Sequence, residues 1–101
     1  MVNLEMAKRL KKAGFPQGNC ESQYAEQGYI VHNKSMTNIA DAPSEKEMME
    51  HLKNYIDEMY WDDMEWNILL KPKPDFTHIL LQNIDLTECL TLAIEAVAGR
   101  K

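Results

Sequence analysis

The stretch from residue 65 to residue 83, EWNILLKPKPDFTHILLQN, restricts the fold more than any other part of the chain. Two apolar runs, Trp66–Leu70 and residues 76–81, flank the polar link Lys71-Pro72-Lys73-Pro74-Asp75. Each run has the length of a strand and is too short for an ordinary helix. The prolines cannot donate to a ladder, so they belong in the connection. The pattern predicts a β-hairpin with an extended turn. Trp66, Ile68 and Leu70 fall on one face of the first strand, opposite Asn67 and Lys71. The second run, Ile79-Leu80-Leu81, does not alternate, which places it at the centre of a sheet covered on both sides.

The helices around this hairpin are marked by their ends. Asn3 can cap a first helix running to Ala13, with Met6, Ala7, Leu10 and Ala13 as a narrow apolar stripe. Gly14 suits the left-handed position after the helix. Phe15 can then fold back on Leu10, and Pro16 forbids continuation. Ser44 and Glu47 form a capping box for a second helix. Met48, Leu52, Tyr55, Ile56 and Met59 recur at helical spacing, so this helix is expected to fray only near Tyr60-Trp61-Asp62-Asp63. Asp85 caps a third helix, with Glu88 at its third position and Ile84 set to staple onto Cys89. Its inner face is Leu86, Cys89, Leu90, Ala93, Ile94 and Val97. Leu92 and Ala96 lie off that face. Gly99 ends it, and Arg100 and Lys101 complement its dipole.

Residues 23–25 and 29–32 read as two strands around a turn at Glu26-Gln27-Gly28, with Tyr24, Tyr29 and Val31 pointing inward. Residues 36–40 read as an edge strand or a loop. The expected architecture is one α+β domain over residues 1–101, in the order α-β-β-α-β-β-α. Its helices pack on one face of a small, mainly antiparallel sheet.

The run Leu10-Lys11-Lys12-Ala13-Gly14-Phe15-Pro16-Gln17 resembles the opening L-K-x-A-G-F-P-Q of a family of short uncharacterised proteins found in prophages and mobile elements of gut bacteria. Members continue with a short β region, a helix start of the form A-P-[ST]-x-x-E-[LM], a hairpin and an Ala/Leu-rich final helix. Ala42-Pro43-Ser44-Glu45-Lys46-Glu47-Met48 matches the second motif, and residues 90–98 match the last. The final helix here lacks the family's frequent tryptophan, and the middle segment is atypical. The resemblance implies a mobile-element origin. Its motifs are structural, a helix stop and a helix start, and since the family has no established activity the resemblance implies no functional residues.

Composition narrows the function classes. The chain has 101 residues, 45% hydrophobic and 27% charged, as in ordinary globular domains. Its opening has no apolar core of a secretory signal, and no run reaches the roughly 18 residues of a membrane span. Cys20 and Cys89 have no framework spacing and read as reduced thiols of a cytoplasmic protein, with one disulfide as the alternative. Residues 1–42 carry five basic and four acidic side chains, whereas residues 43–101 carry six basic and twelve acidic, giving a net charge of −5 overall. This argues against non-specific nucleic-acid binding, and with no apolar run long enough to span a membrane no membrane partner is expected. Lys8, Arg9, Lys11 and Lys12 on the first helix are the exception, as a solvated face or a phosphate patch.

No constellation carries chemistry by spacing. Cys20, His32, His51, His78 and Cys89 contain no close pair of the kind a zinc site uses, so neither metal nor cofactor is expected. Asp57, Glu58, Asp62, Asp63 and Glu65 sit in a hydrophilic stretch rather than an apolar pocket that would tune one as an acid. Among Met59, Tyr60, Trp61, Met64 and Trp66, the core claims Met59 and Trp66. Tyr60 and Trp61 are then either interface anchors or covers for the sheet edge. With the off-stripe Leu92 and Ala96 they make the candidate interface. The leading expectation is a non-enzymatic accessory protein that binds an unknown protein partner or itself as a homodimer. A small enzyme with a carboxylate or histidine site assembled by the fold is the alternative. An acidic mimic of nucleic acid is the third reading.

Overall fold

A computed structural model of the chain describes residues 2–18, 20–32, 38–71 and 79–99. The order is α1 (Leu4–Lys12), β1 (Gln23–Tyr24), β2 (Ile30–Val31), β3 (Ala40–Asp41), α2 (Glu45–Leu52), β4 (Ile56–Trp61), β5 (Trp66–Leu70), β6 (Ile79–Asn83) and α3 (Leu86–Ala98). The α+β class and the general order of elements are as the sequence implies. The strands divide into two antiparallel three-stranded sheets, β2-β1-β3 and β4-β5-β6.

Local chemistry sets the helix ends. The Met6 N–H donates to the Asn3 side chain at 2.8 Å. At the other end of α1, the Phe15 N–H reaches Leu10 O at 2.9 Å and the Gly14 N–H reaches Lys11 O at 3.1 Å. These are the two bonds of a Schellman motif, and Gly14 holds φ at 89° as that motif requires. A Cβ at Gly14 would meet nothing within 4 Å, so a substitution there is opposed by backbone strain alone. Gly14→Val should lower stability by about 1–2 kcal/mol. An unchanged urea midpoint would contradict this.

Ser44 and Glu47 complete their capping box at 3.1 Å and 3.0 Å. At α3, Asp85 caps through the Thr87 N–H. Two expectations there are corrected. Ile84 is exposed and does not staple onto Cys89. Glu88 accepts from Arg9 Nη1 at 2.9 Å, while the Asp85 N–H donates to Asn83 Oδ1. Gly99 follows α3 with φ at −68°, a right-handed end rather than a left-handed cap. Arg100 and Lys101 lie outside the described residues.

The largest correction concerns α2. It stops at Leu52, and residues 56–61 form a strand. The Tyr55 N–H turns back to Leu52 O at 2.8 Å. The Lys71 N–H then donates to Tyr55 O at 2.8 Å, which starts the pairing with β5. Strand pairing and the β preference of Tyr55, Ile56, Tyr60 and Trp61 override the helical phase of the apolar residues. Because β4 adds on the far side of β5, the centre of the sheet is β5, and β6 becomes an edge with Leu80 exposed. The proposed turn at residues 72–75 and the strand residues Phe76 and His78 lie outside the described residues.

In the smaller sheet, Gly28 takes φ at 92° in the turn between β1 and β2. Tyr24 is buried and donates its hydroxyl to Val2 O at 2.9 Å. Tyr29 is exposed rather than inward. Ile30 is the cross-strand partner of Tyr24 and takes the inward face, so its neighbour Tyr29 points the other way. Val31 is half-buried. Of residues 36–40, Ala40 begins β3, and residues 36 and 37 lie outside the described residues.

The core joins Ala7 and Leu10 of α1, Met48 and Leu52 of α2, Ile68 and Leu70 of β5, and Leu90, Ala93, Ile94 and Val97 of α3. α3 touches α1, α2, β5 and β6, which is why it is apolar over more than one stripe. Arg9 of α1 bridges to Glu88 and Glu95 of α3.

Candidate functional site

Two places gather chemistry-bearing side chains. The first is the hairpin of β4 and β5. Its register pairs Trp61 with Trp66, Tyr60 with Asn67, Met59 with Ile68 and Glu58 with Leu69. Cross-strand partners share a face, so Met59 and Trp61 lie on the core side and Glu58 and Tyr60 on the other. The core-side position does not bury them. Met59 is 36% exposed and Trp61 45%, while Tyr60 opposite is 46% exposed. Met59 is therefore not a core residue as expected from the sequence. Trp66 is half-buried and packs on the core, and Trp61 meets it edge-to-face at 5.6 Å between ring centroids.

The hairpin loop is organised by Asp62, whose Oδ1 accepts the Met64 and Glu65 N–H groups at 3.1 and 3.0 Å. The Glu65 N–H, with the Asn67 side chain and the Met64 N–H, holds the Asp62 carboxyl below its usual range. The turn is thus firm at and above the normal carboxylate range and loosens only as pH falls below it, through the lowered pKa of Asp62. Asp63 takes φ at 76°. Behind the loop, Asn67 donates to Glu65 O at 3.1 Å and accepts from Gln82 Nε2 at 2.7 Å, tying β5 to β6.

The second place is an open groove of about 590 Å³ between the segment after α1 and the side of α2. It is lined by Phe15, Cys20, Glu47, Glu50 and His51, among others. This groove brings together a thiol, carboxylates and an imidazole that are far apart in sequence. The shifts of Cys20 and Glu47 run against their use as nucleophile and general acid. Burial first, then hydrogen bonding to Asp41 and the charge of Glu47, pushes the Cys20 thiol far above its ordinary range. A nucleophilic cysteine needs the opposite. Burial works to raise the Glu47 carboxyl, but the Ser44 N–H and hydroxyl prevail and hold it below its usual value. A general acid needs a raised one. The His51 ring lies on Phe15, 4.8 Å between centroids and tilted by 51°.

Cys89, buried under the sheet, donates to Leu81 O at 3.4 Å, and burial with the nearby Glu65 pushes its thiol up to about 11. Both cysteines are free. At pH 8 the native protein should react with a disulfide thiol reagent more than about 100-fold slower than the unfolded chain. Equal rates would show an accessible thiolate.

The other candidates are spread out. His32 Nδ1 pairs with Ser22 Oγ at 2.9 Å. His78 lies outside the described residues. Among the described residues, no group of three or more His, Cys, Asp or Glu side chains could hold a metal ion, and no helix is long and apolar enough to cross a membrane. Of the basic cluster on α1, Arg9 is spent on α3, and Lys11 Nζ donates to Ile39 O at 2.8 Å. Leu92 and Ala96 are half-buried, and Ala96 packs on the core. By helical spacing Leu92 lies beside Glu88 and Glu95, the acceptors of Arg9, and Ala96 one turn along from it. The aromatic pair stands out from the hairpin instead. Comparison of the chain with protein-family models, with curated proteins and with solved structures finds no match.

Proposed function

We propose that this chain is an accessory protein of prophage or mobile-element origin that catalyses no reaction and works in the cytoplasm by binding another protein chain through the β4–β5 hairpin. The observation that carries the reading is the exposure of Met59, Tyr60 and Trp61 on a strand with one strand neighbour among the described residues. Aromatic and methionine side chains gathered on one protruding element are the usual anchors of protein interfaces. Trp66 fixes the orientation of Trp61 from behind, so little side-chain freedom is lost when a partner covers it. The residues of the opening motif, Leu10 through Gln17, support the origin, and two buried reduced thiols suit a reducing compartment.

The test is co-purification of tagged protein from the native host with two single-site variants. Trp61→Ala should weaken retention of a specific partner by about tenfold or more, the effect of an interface anchor. Tyr29→Ala, on an exposed tyrosine just before β2, should leave it unchanged. A partner retained equally by both variants would overturn the assignment of the hairpin.

A further inference from the structure

We propose that the outer edge of β4 accepts an extended cationic segment of a partner protein as an added strand, with lysine or arginine alternating with apolar residues. This rests on the reading of the hairpin as a binding surface and names its partner's chemistry.

Three observations lead to it. β4 stands at the end of the order β4-β5-β6, so among the described residues it has a strand neighbour on one side only. The backbone bonds that flank it, Lys71 N–H to Tyr55 O and Asp62 N–H to Glu65 O, also run toward the β5 side. Half of the ladder groups of a six-residue strand therefore face outward. Second, exposed side chains stand on both faces of β4, with Met59 and Trp61 on one and Glu58 and Tyr60 on the other. An incoming strand would find an apolar contact above and below the sheet, as strand addition requires. Third, residues 57–65 hold five carboxylates and no cation.

Charge decides between occupants. Two copies pairing edge to edge would bring together two hairpins that each carry five carboxylates and no cation over residues 57–65, a like-charge repulsion that weakens the pairing. Asp57 sits at a break in the register between Ile56 and Glu58, which leaves residues 58–61 as the regular part of the edge for any added strand. A nucleic acid or an anionic lipid surface meets the same repulsion. A cationic strand converts that repulsion into attraction, while the backbone ladder supplies the geometry.

The probe is an acetylated peptide of about seven residues in which lysine alternates with valine, long enough to span residues 58–61. It is followed by fluorescence anisotropy against a glutamate–valine peptide and a lysine–valine peptide N-methylated along one edge. The lysine peptide should bind at least about tenfold tighter than the glutamate peptide at low salt, and weaken toward physiological salt. N-methylation should remove about tenfold or more of the affinity, because it deletes the ladder donors and keeps the charge. Glu58→Lys, at an exposed position, should weaken the lysine peptide similarly while circular dichroism stays native. Equal binding of the N-methylated peptide would reduce the effect to adsorption by charge and overturn the proposal. So would absence of binding, or a wild-type dimer in sedimentation that Glu58→Lys strengthens. If a host partner depends on Trp61 yet the peptide does not bind, the hairpin remains a binding surface and strand addition fails. If neither holds, both readings fall.

Discussion

Ile68→Ala should destabilise the protein by about 2–5 kcal/mol, and Met59→Ala, at its cross-strand partner, by less than about 1 kcal/mol. The two residues face each other across β4 and β5, yet Ile68 is 0% exposed and Met59 36%. Ile68 lies on the central strand beneath α3, so its truncation leaves a cavity that the surrounding core can only partly close. Met59 sits on the edge strand, where solvent already reaches it. The pair therefore tests where α2 ends. If the helix ran on to Tyr60, Met59 would lie on the same inner stripe as Met48 and Leu52, and its loss would match that of Ile68. Urea denaturation with m-values compared across the variants decides it. Comparable losses at the two positions would restore the long helix.

That boundary shows what the sequence could and could not reveal. Asn3, Gly14, Ser44 and Asp85 mark their helix ends because a cap needs only neighbouring residues, and all four behave as their chemistry implies. β4 carries no such mark. An edge strand exposed on both faces shows no apolar alternation, and the spacing of Met48, Leu52, Tyr55, Ile56 and Met59 mimics a helix. The signals that favoured a strand were Asn54 after Lys53, the aromatic and β-branched run that follows, and the Asp62-Asp63 pair ahead of Trp66. The same error moved β6 to the centre of the sheet, because without β4 the second strand of the hairpin had no rival. The aromatic pair was legible as a candidate since Tyr60 and Trp61 sit in an acidic run. The uncovered ladder beside them was not, because an edge exists only once the strand order is known. The groove at α2 was equally hidden, since Cys20, Glu47 and His51 meet only through packing.

Asp41→Ala should destabilise the protein by about 2–4 kcal/mol, close to the loss of a core leucine although it removes a polar group. Asp41 is 3% exposed, and its Oδ2 accepts the Gly18 N–H at 2.8 Å and the Cys20 N–H at 3.1 Å. Its own N–H donates to Gln17 Oε1 at 2.8 Å. One side chain thus ties the segment between α1 and the small sheet onto β3. Alanine leaves two inward N–H groups without their acceptor, and each orphaned donor costs about 1–3 kcal/mol, less at Gly18 where water has partial access. Asp41→Asn keeps an oxygen that can take both bonds and should cost about 1 kcal/mol, the loss of charge assistance alone. The two variants therefore separate a missing acceptor from a missing charge. Asp41→Ala should also loosen the segment that covers Cys20, so that its thiol reacts with reagent faster than in Asp41→Asn, while binding at the distant β4 edge stays unchanged. Equal urea midpoints for alanine and wild type would mean that water satisfies both donors, and the tie between this loop and β3 would carry no stability.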